Sequence, residues 1–309
     1  MRNAFAEEIT KISLMDNTIT LLSGDIGNRL FDSFKEQNAN RFFNCGVAEA
    51  NMMGVAAGLA ASGLRPVVYT ITPFTTTRCL EQIKIDACYH NLPITIVGTG
   101  SGLAYASLGP THHSCEDIGI LRPFPNMTIF CPADPIEMRL GLNLALKKDG
   151  PTYIRLGKKG EPNLHKSEPK HFVLGKSNEL RSGETVCIIT TGTIAANAMA
   201  AADQLERCGV STHVESFHTV KPLDTNSLER LFNKFKTIAI LEEHFESSGL
   251  YSAVAEWALK KTNVKNRVIS FGVPDKFLHH IGSQNYALNH FGLDSDSITK
   301  RVLDSLGVA

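Results

Sequence analysis

The 309-residue sequence has no excess of charge of either sign, because 31 Lys and Arg residues balance 31 Asp and Glu residues. Proteins that bind nucleic acids through phosphate attraction are usually strongly basic, so we expect no nucleic-acid partner. Hydrophobic residues make up 43% of the chain and charged residues 20%, which is typical of a globular protein. At roughly 150 residues per domain, the length predicts two domains.

The sequence also lacks a long apolar run. Its longest segment without Asp, Glu, Lys or Arg lies between Asp86 and Glu116, and two prolines and four glycines interrupt it. A membrane-spanning helix needs about 20 consecutive apolar residues, so we expect no transmembrane segment. Residues 1–15 carry four charged side chains, unlike a secretory signal peptide. We therefore expect a cytoplasmic protein with no membrane partner.

The seven cysteines are an odd number and include no CxxC pair. Most have apolar neighbours in the sequence, which predicts buried, reduced thiols in a reducing compartment. Cys115 follows His112 and His113 closely, so a catalytic thiol is an alternative at this position.

Short apolar runs alternate with amphipathic segments along the whole chain, which favours an α/β fold. The predicted strands are 18–22, 42–44, 66–70, 94–97, 128–130, 153–156, 186–190, 210–216, 237–241 and 267–271. The predicted helices are 3–15, 48–61, 77–89, 116–121, 135–146, 194–208, 227–235, 250–261 and 296–306. This alternation predicts two doubly wound α/β domains, each with a mostly parallel sheet covered on both faces.

Residues 157–176 interrupt this pattern. They contain five lysines and two prolines and show little periodicity, which is typical of a connection between domains. We therefore predict a first domain at 1–160, a linker at 161–180 and a smaller second domain at 181–309.

A pair of histidines and a pair of acids follow the glycine-containing segment after strand 94–97. His112 and His113 cannot both point into one site from an extended segment, so we expect one of them to be structural. Glu116 and Asp117 could join them in a metal site. Carboxylates at the start of a helix are stabilised by its dipole, however, and we expect both acids to cap the helix that follows.

Glu49 is a lone carboxylate at the start of an Ala-rich, apolar helix, and the next acid in the chain is Glu81. One interpretation is a favourable interaction with the helix dipole and nothing more. The other is a carboxyl shielded from water, which holds a proton and shares it with a partner.

Eight segments of the chain, taken in order, resemble the transketolase family. They are GVAEANMMGVAAGLA at 46–60, GPTH at 109–112, EDI at 116–118, PNM at 125–127, PAD at 132–134, GPTYIRL at 150–156, EEHFESSGL at 242–250 and FGVP at 271–274. The first six resemble the family's pyrimidine-binding domain and the last two its C-terminal domain. Each segment alone is a weak signal, but the ordered set is specific and covers nearly all of the chain.

This resemblance implies a thiamine-diphosphate enzyme that transfers a two-carbon ketol unit from a ketose to an aldose. The family holds the diphosphate through Mg²⁺ or Ca²⁺ on a GDG motif followed by Asn, and the GDIG at 24–27 does not match it. The chain therefore resembles the C-terminal subunit of a split transketolase. The resemblance implies an N-terminal partner that carries GDG…N and holds the metal and the diphosphate, an α2β2 heterotetramer, and no activity of either chain alone.

The resemblance also implies which residues contact the cofactor. Glu49 matches the glutamate that hydrogen-bonds the pyrimidine ring and promotes the tautomer that takes the thiazolium proton. Phe74 matches the aromatic ring stacked on the pyrimidine. Ile26 matches the aliphatic side chain that bends the cofactor, and Asp25 matches an acid beside the pyrimidine.

At the substrate end, His112 matches the histidine near the donor's hydroxyl and carbonyl oxygens, where an imidazole can relay a proton. Arg2, Arg29 and Lys158 fall at or near positions where the family contacts the donor's anionic group. Ser101 is a further candidate for a substrate contact. For Arg29, an exposed surface residue is an equal alternative.

Two residues depart from the family pattern. Leu108 occupies the place of an acid that reads a hydroxyl of the donor, and Gly100 occupies the place of a phosphate-binding histidine. Both positions belong to the substrate pocket, so we expect the thiamine chemistry to be kept and the sugar to differ. A sulfonated or branched sugar, or a phosphate other than the common pentoses, fits this expectation.

Three alternatives stay open from the sequence alone. The first is the β subunit of a 2-oxo acid dehydrogenase, which shares both domains and the split architecture. The second is a condensation like that of deoxyxylulose-phosphate synthase. The third is a non-catalytic scaffolding partner, which the presence of Glu49, Phe74 and His112 argues against.

Overall fold

The computed structural model describes residues 1–27, 29–261 and 264–308. Its strands are β1 (Ile19–Ser23), β2 (Phe42–Asn44), β3 (Arg65–Ile71), β4 (Thr95–Thr99), β5 (Thr128–Phe130), β6 (Thr152–Leu156), β7 (Asn178–Arg181), β8 (Val186–Thr191), β9 (Thr212–Ser216), β10 (Thr219–Lys221), β11 (Thr237–Phe245) and β12 (Arg267–Val273). Its helices are α1 (Arg2–Ser13), α2 (Asp32–Gln37), α3 (Glu49–Ala61), α4 (Thr72–Thr75), α5 (Leu80–Gln82), α6 (Asp117–Leu121), α7 (Pro135–Ala145), α8 (Ala195–Arg207), α9 (Thr225–Lys234), α10 (Leu250–Ala258), α11 (Gln284–His290) and α12 (Ser295–Leu306).

The first sheet has seven strands in the order β10-β5-β6-β4-β3-β1-β2. All neighbouring strands are parallel except β10, which runs antiparallel to β5. Successive side chains of a strand point to opposite faces. Val67 and Tyr69 of β3 therefore pack in the cluster that contains Phe5 of α1, whereas Val68 packs in the cluster that contains Met52 of α3. Both faces of the sheet are covered in this way.

The second sheet has five strands in the order β12-β11-β8-β9-β7, of which only β7 is antiparallel to its neighbour. One face packs against Ala198 of α8 and Val302 of α12. The other face packs against Val254 of α10, in the same apolar cluster that contains Met52 of α3. The two halves of the chain therefore share one continuous core.

Side-chain caps fix where several helices begin. The Asp134 carboxylate accepts hydrogen bonds from the amides of Ile136 at 3.0 Å and Glu137 at 2.8 Å, and Pro135 takes the first turn of α7. Asp294 caps α12 in the same way through the amide of Ser297, at 3.0 Å. Such caps satisfy backbone donors that have no partner within the helix.

The predicted α/β fold with two mostly parallel sheets is confirmed. The segment predicted as one helix at 77–89 is irregular, since its second half, Ile83–Tyr89, is a π-helix. Two short strands were not predicted. β7 begins inside the range assigned to the linker, and β10 lies in the C-terminal half of the chain but completes the first sheet.

Within the described ranges, every helix is too short or too polar to cross a lipid bilayer. All seven cysteines are free, and five of them are buried. Burial raises the pKa of the Cys115 thiol well above its usual value. Because the thiolate is the reactive form, the alternative of a catalytic Cys115 is not supported.

Candidate active site

The loops that follow five adjacent parallel strands meet at one edge of the first sheet. Strands β6, β4, β3, β1 and β2 are neighbours in that order, so their carboxyl ends lie side by side, where α/β proteins bind ligands. The predicted site residues that follow these strands are Asp25, Ile26, Glu49, Phe74, Ser101, His112 and Lys158.

Glu49 is the first residue of α3 and is only 4% exposed. Its carboxylate accepts a hydrogen bond from Nη1 of Arg78 at 2.7 Å. The predicted shielding of this carboxyl is therefore present, but the carboxyl is not isolated. Arg78 was not among the predicted site residues, because it is 29 positions from Glu49 and only the fold brings the two together.

Arg78 also contacts Phe74, the predicted stacking ring. The guanidinium carbon Cζ lies 4.0 Å from the centre of the Phe74 ring. Phe74 is held by the short helix α4, and Arg78 follows it by four residues. One cation thus covers both the aromatic face and the buried carboxylate.

His112 lies in a row of aromatic rings. Its ring centre is 5.4 Å from that of Phe74 and 6.2 Å from that of Tyr105, and both pairs meet edge to face. The Nδ1 atom of His112 lies 2.9 Å from the hydroxyl of Thr111. The ammonium of Lys158 lies 4.6 Å from the centre of the Tyr105 ring. Tyr105 is a second residue of this edge that was not predicted from the sequence.

Asp25 and Ile26 occupy the loop after β1. The side chain of Asp25 is exposed and accepts a hydrogen bond from Nδ2 of Asn44 at 3.2 Å, while its amide donates to the Gly46 carbonyl at 3.2 Å. These contacts join the loops that follow β1 and β2. Ile26 is half-buried and packs against the core on the α1 side of the sheet.

The other predicted substrate contacts differ in their surroundings. Ser101 is buried, and its hydroxyl donates to the Leu156 carbonyl at 2.9 Å. The Nε atom of Arg2 is buried and has no hydrogen-bond partner among the described residues. Arg29 is exposed in a surface groove that Asn3 and Glu7 of α1 also line, so it lies outside the row of rings.

Asp117 corrects a prediction. Its fully buried carboxylate accepts hydrogen bonds from the Tyr153 hydroxyl at 2.6 Å and from Nε of Arg155 at 2.7 Å. Asp117 lies in the first turn of α6, but its side chain makes no capping hydrogen bond, so the expected role as a helix cap is wrong. Nη2 of Arg155 also donates to the carbonyl of Glu243 at 2.9 Å. This last hydrogen bond connects β6 of the first sheet to β11 of the second.

Two family models match the chain. The pyrimidine-binding domain of transketolase matches residues 1–162, and the C-terminal domain of transketolase matches residues 175–298. The chain belongs to the transketolase family. The resemblance inferred from the ordered segments is therefore confirmed.

Relatives within the transketolase family match the chain along nearly its whole length. One is a subunit of the apulose-4-phosphate transketolase of Phocaeicola vulgatus, which is 33% identical over 304 residues, covering 98% of this chain and 96% of the relative. Another is subunit SqwH of a 6-deoxy-6-sulfo-D-fructose transketolase from a Clostridium species, which is 34% identical over 301 residues, covering 97% and 92%.

The solved structure of a split-gene transketolase, described as an inactive β4 tetramer, has a TM-score of 0.88 and 31% identity, covering 99% of this chain and 98% of that one. Together with the two relatives, it confirms the prediction of a split-transketolase subunit. The dehydrogenase and scaffolding alternatives are not favoured.

Transketolases depend on thiamine diphosphate, and the described residues fit the aminopyrimidine part of this cofactor. A buried carboxylate and an aromatic face lie next to each other, and the planar guanidinium of Arg78 already contacts both. A flat group with hydrogen-bonding nitrogens that replaced this guanidinium would meet the same carboxylate and the same ring face.

Proposed function

We propose that this chain supplies the pyrimidine-binding half of the active site in a two-chain transketolase, which moves a two-carbon ketol unit from an anionic ketose to an aldose. The observation that carries the proposal is the buried Glu49 carboxyl beside the Phe74 ring, at the carboxyl edge of a parallel sheet.

In this proposal the Glu49 carboxyl would hydrogen-bond the pyrimidine ring nitrogen in place of Arg78 and would exchange a proton with it. A carboxyl shielded from water suits this task, because no water competes for its hydrogen bond to the ring. Phe74 would stack on the pyrimidine ring, and Ile26 and Asp25 would contact the cofactor from the loop after β1. Thiamine diphosphate supplies the carbon nucleophile that attacks the ketose carbonyl.

At the substrate end, His112 hydrogen-bonds the donor's oxygens and moves a proton between them. Lys158 and Arg2 bind the anionic group of the sugar through charge-assisted hydrogen bonds. The unpartnered, buried Nε of Arg2 supports this role, since such a group gains most from a new acceptor. Ser101 and the more distant Arg29 complete the proposed set.

The proposed partner is an N-terminal transketolase subunit that carries the GDG…N motif and binds the diphosphate through Mg²⁺ or Ca²⁺, in a cytoplasmic α2β2 heterotetramer. Both relatives named above are themselves single subunits of transketolases, which supports such a partner. We propose a phosphorylated or sulfonated ketose as the donor, because one relative is named for a sugar phosphate and the other for a sulfosugar.

Purifying the tagged chain from its host, together with whatever binds to it, tests the proposal. We expect a second polypeptide with GDG…N and one thiamine diphosphate per active site to co-purify with it. The complex should transfer ketol units from a panel of phospho- and sulfo-ketoses to aldoses. Lipoamide-dependent turnover of an oxo acid would reject the transketolase assignment. If D-xylulose 5-phosphate were clearly the best donor, the expectation of a donor other than the common pentose phosphates would be rejected.

A further inference from the structure

The ring of Tyr105 fills the space beside Gly100. Gly100 has a φ of +72°, and a Cβ atom at this position would lie 1.9 Å from Cε2 of Tyr105. The amide of Gly100 donates to the Gly157 carbonyl at 3.3 Å, and the amide of Ser101 donates to the Leu156 carbonyl at 3.0 Å. Because these bonds tie the loop to the end of β6, a side chain at position 100 and the present position of the ring exclude each other.

Tyr105 also contacts residues assigned to both ends of the proposed substrate site. Its ring, 9% exposed, lies 6.2 Å from the His112 ring and 4.6 Å from the Lys158 ammonium. A cation over an aromatic face is held there by the quadrupole of the ring. Tyr105 therefore contacts both the histidine assigned to the carbonyl end and the cation assigned to the anion.

We propose that Tyr105 is the specificity-determining residue of this site, selecting donors by the distance between the carbonyl carbon and the terminal anion. The proposal rests on the proposed function, in which His112 faces the carbonyl end and Lys158 the anion. The ring occupies the volume that a side chain at position 100 would use, and its contact with the Lys158 ammonium limits how far this charge can move. The contacts from Phe74 through His112 and Tyr105 to Lys158 would then select donors whose anion lies at a matching distance from the carbonyl carbon.

The first test compares Tyr105→Leu with Tyr105→Phe in the complex with the N-terminal partner. D-Xylulose 5-phosphate, D-fructose 6-phosphate and 6-deoxy-6-sulfo-D-fructose serve as donors. In Tyr105→Leu we expect KM for the preferred donor to rise about 10-fold and kcat to change by less than about 3-fold, because the loss is one of anion positioning. The preference among the three donors should fall by a similar factor. Tyr105→Phe keeps the ring and should keep the preference.

A second pair of variants adds a methyl group to the backbone, once beside the Tyr105 ring and once at a control position. Gly100→Ala places a methyl group where the ring lies and should shift donor preference in the same direction as Tyr105→Leu. Gly209→Ala is the matched control. Gly209 has a comparable φ of +77° with nothing within 4 Å of a new Cβ, so it carries the same backbone strain and should leave donor preference unchanged.

A binding measurement separates failure of this inference from failure of the proposed function. D-Arabitol 5-phosphate has no carbonyl, so its calorimetric binding needs no turnover, and Tyr105→Leu should weaken it about 10-fold. A wild-type complex that transfers no ketol unit from any donor would reject the proposed function. An active wild-type complex whose donor preference and arabitol phosphate affinity survive in both Tyr105→Leu and Gly100→Ala would overturn the role of Tyr105.

Discussion

The guanidinium of Arg78 donates to the buried carboxylate of Glu49 across 2.7 Å. It also lies over the Phe74 ring, so a single side chain contacts both groups that the proposed function assigns to the cofactor's pyrimidine. A buried carboxylate needs a partner for its charge. Arg78 itself is 42% exposed, which leaves it free to turn toward solvent when a ring takes its place.

Replacing Arg78 by Met tests this relationship. We expect the free chain to lose about 1–3 kcal/mol of unfolding free energy, since the buried Glu49 charge keeps no cation. With the partner and thiamine diphosphate bound, the loss should shrink, and thermal unfolding with and without the cofactor measures both values.

Lys261→Met is the matched control for Arg78. Lys261 is 43% exposed, pairs with Glu229 and lies over the Trp257 ring, but its carboxylate partner is 51% exposed. Such a pair contributes about 0–1 kcal/mol. An equal loss for Arg78→Met in the free chain and in the loaded complex would contradict the exchange between guanidinium and pyrimidine.

Replacing Glu49 by Ala or Gln should lower kcat of the assembled complex by about 10²–10⁴-fold, the usual contribution of a positioned proton-transfer group. Size-exclusion chromatography should show unchanged assembly. Asp32→Ala controls for the helix dipole, because Asp32 is also the first residue of a helix but is exposed. Normal turnover by the Glu49 variants would refute the role of this carboxyl.

Replacing Asp117 by Ala should cost about 3–5 kcal/mol in urea unfolding, because the fully buried Arg155 would keep an uncompensated charge. The exposed pair of Arg181 and Asp203 provides the comparison, and Asp203→Ala should cost about 0–1 kcal/mol. Similar losses for the two variants would show that the buried pair of Asp117 and Arg155 adds nothing beyond a surface contact.

His165 makes the stability depend on pH. Burial lowers the pKa of His165, but Asp134, at 2.9 Å, and Glu137 outweigh it and raise that pKa above its usual value. Burial also raises the pKa of Glu137 to about 7. Both groups hold protons more tightly when folded, so the stability they provide is present at pH 5 and falls as pH rises toward 8.

The variant His165→Gln should therefore cost about 1–3 kcal/mol at pH 6 and less at pH 8.5, as measured by urea unfolding at both values. His171→Gln, an exposed histidine of the same connecting segment, should cost little at either pH. A larger loss for His165→Gln at pH 8.5 than at pH 6 would contradict the assigned direction.

The sequence predicted the alternation of strands and helices because buried parallel strands are continuous apolar runs, as in β3 and β8. It did not predict β7 and β10, which are short and owe their existence to antiparallel pairing with distant partners. The π-helix at Ile83–Tyr89 could not be told from an ordinary helix, since its apolar spacing differs little from the regular period.

The candidate site divides in the same way. Glu49, Phe74 and His112 could be placed by the family pattern, and the fold brings them to one edge. Arg78 and Tyr105 could not, because their meaning lies in contacts with a carboxylate 29 residues away and with a glycine that leaves room for a ring. In the sequence, Gly100 indicates only that a side chain of the family pattern is missing. In the structure, the Tyr105 ring occupies the volume that this side chain would need.

The antiparallel pairing of β10 with β5 has a consequence for dissecting the chain. A fragment that stops after residue 162 would keep β5 but lose β10, and the exposed backbone groups of β5 would form an open template for self-association. Such a truncation should yield aggregates rather than a soluble pyrimidine-binding half. The boundary between the two matched family segments therefore does not divide the protein into two parts that fold independently.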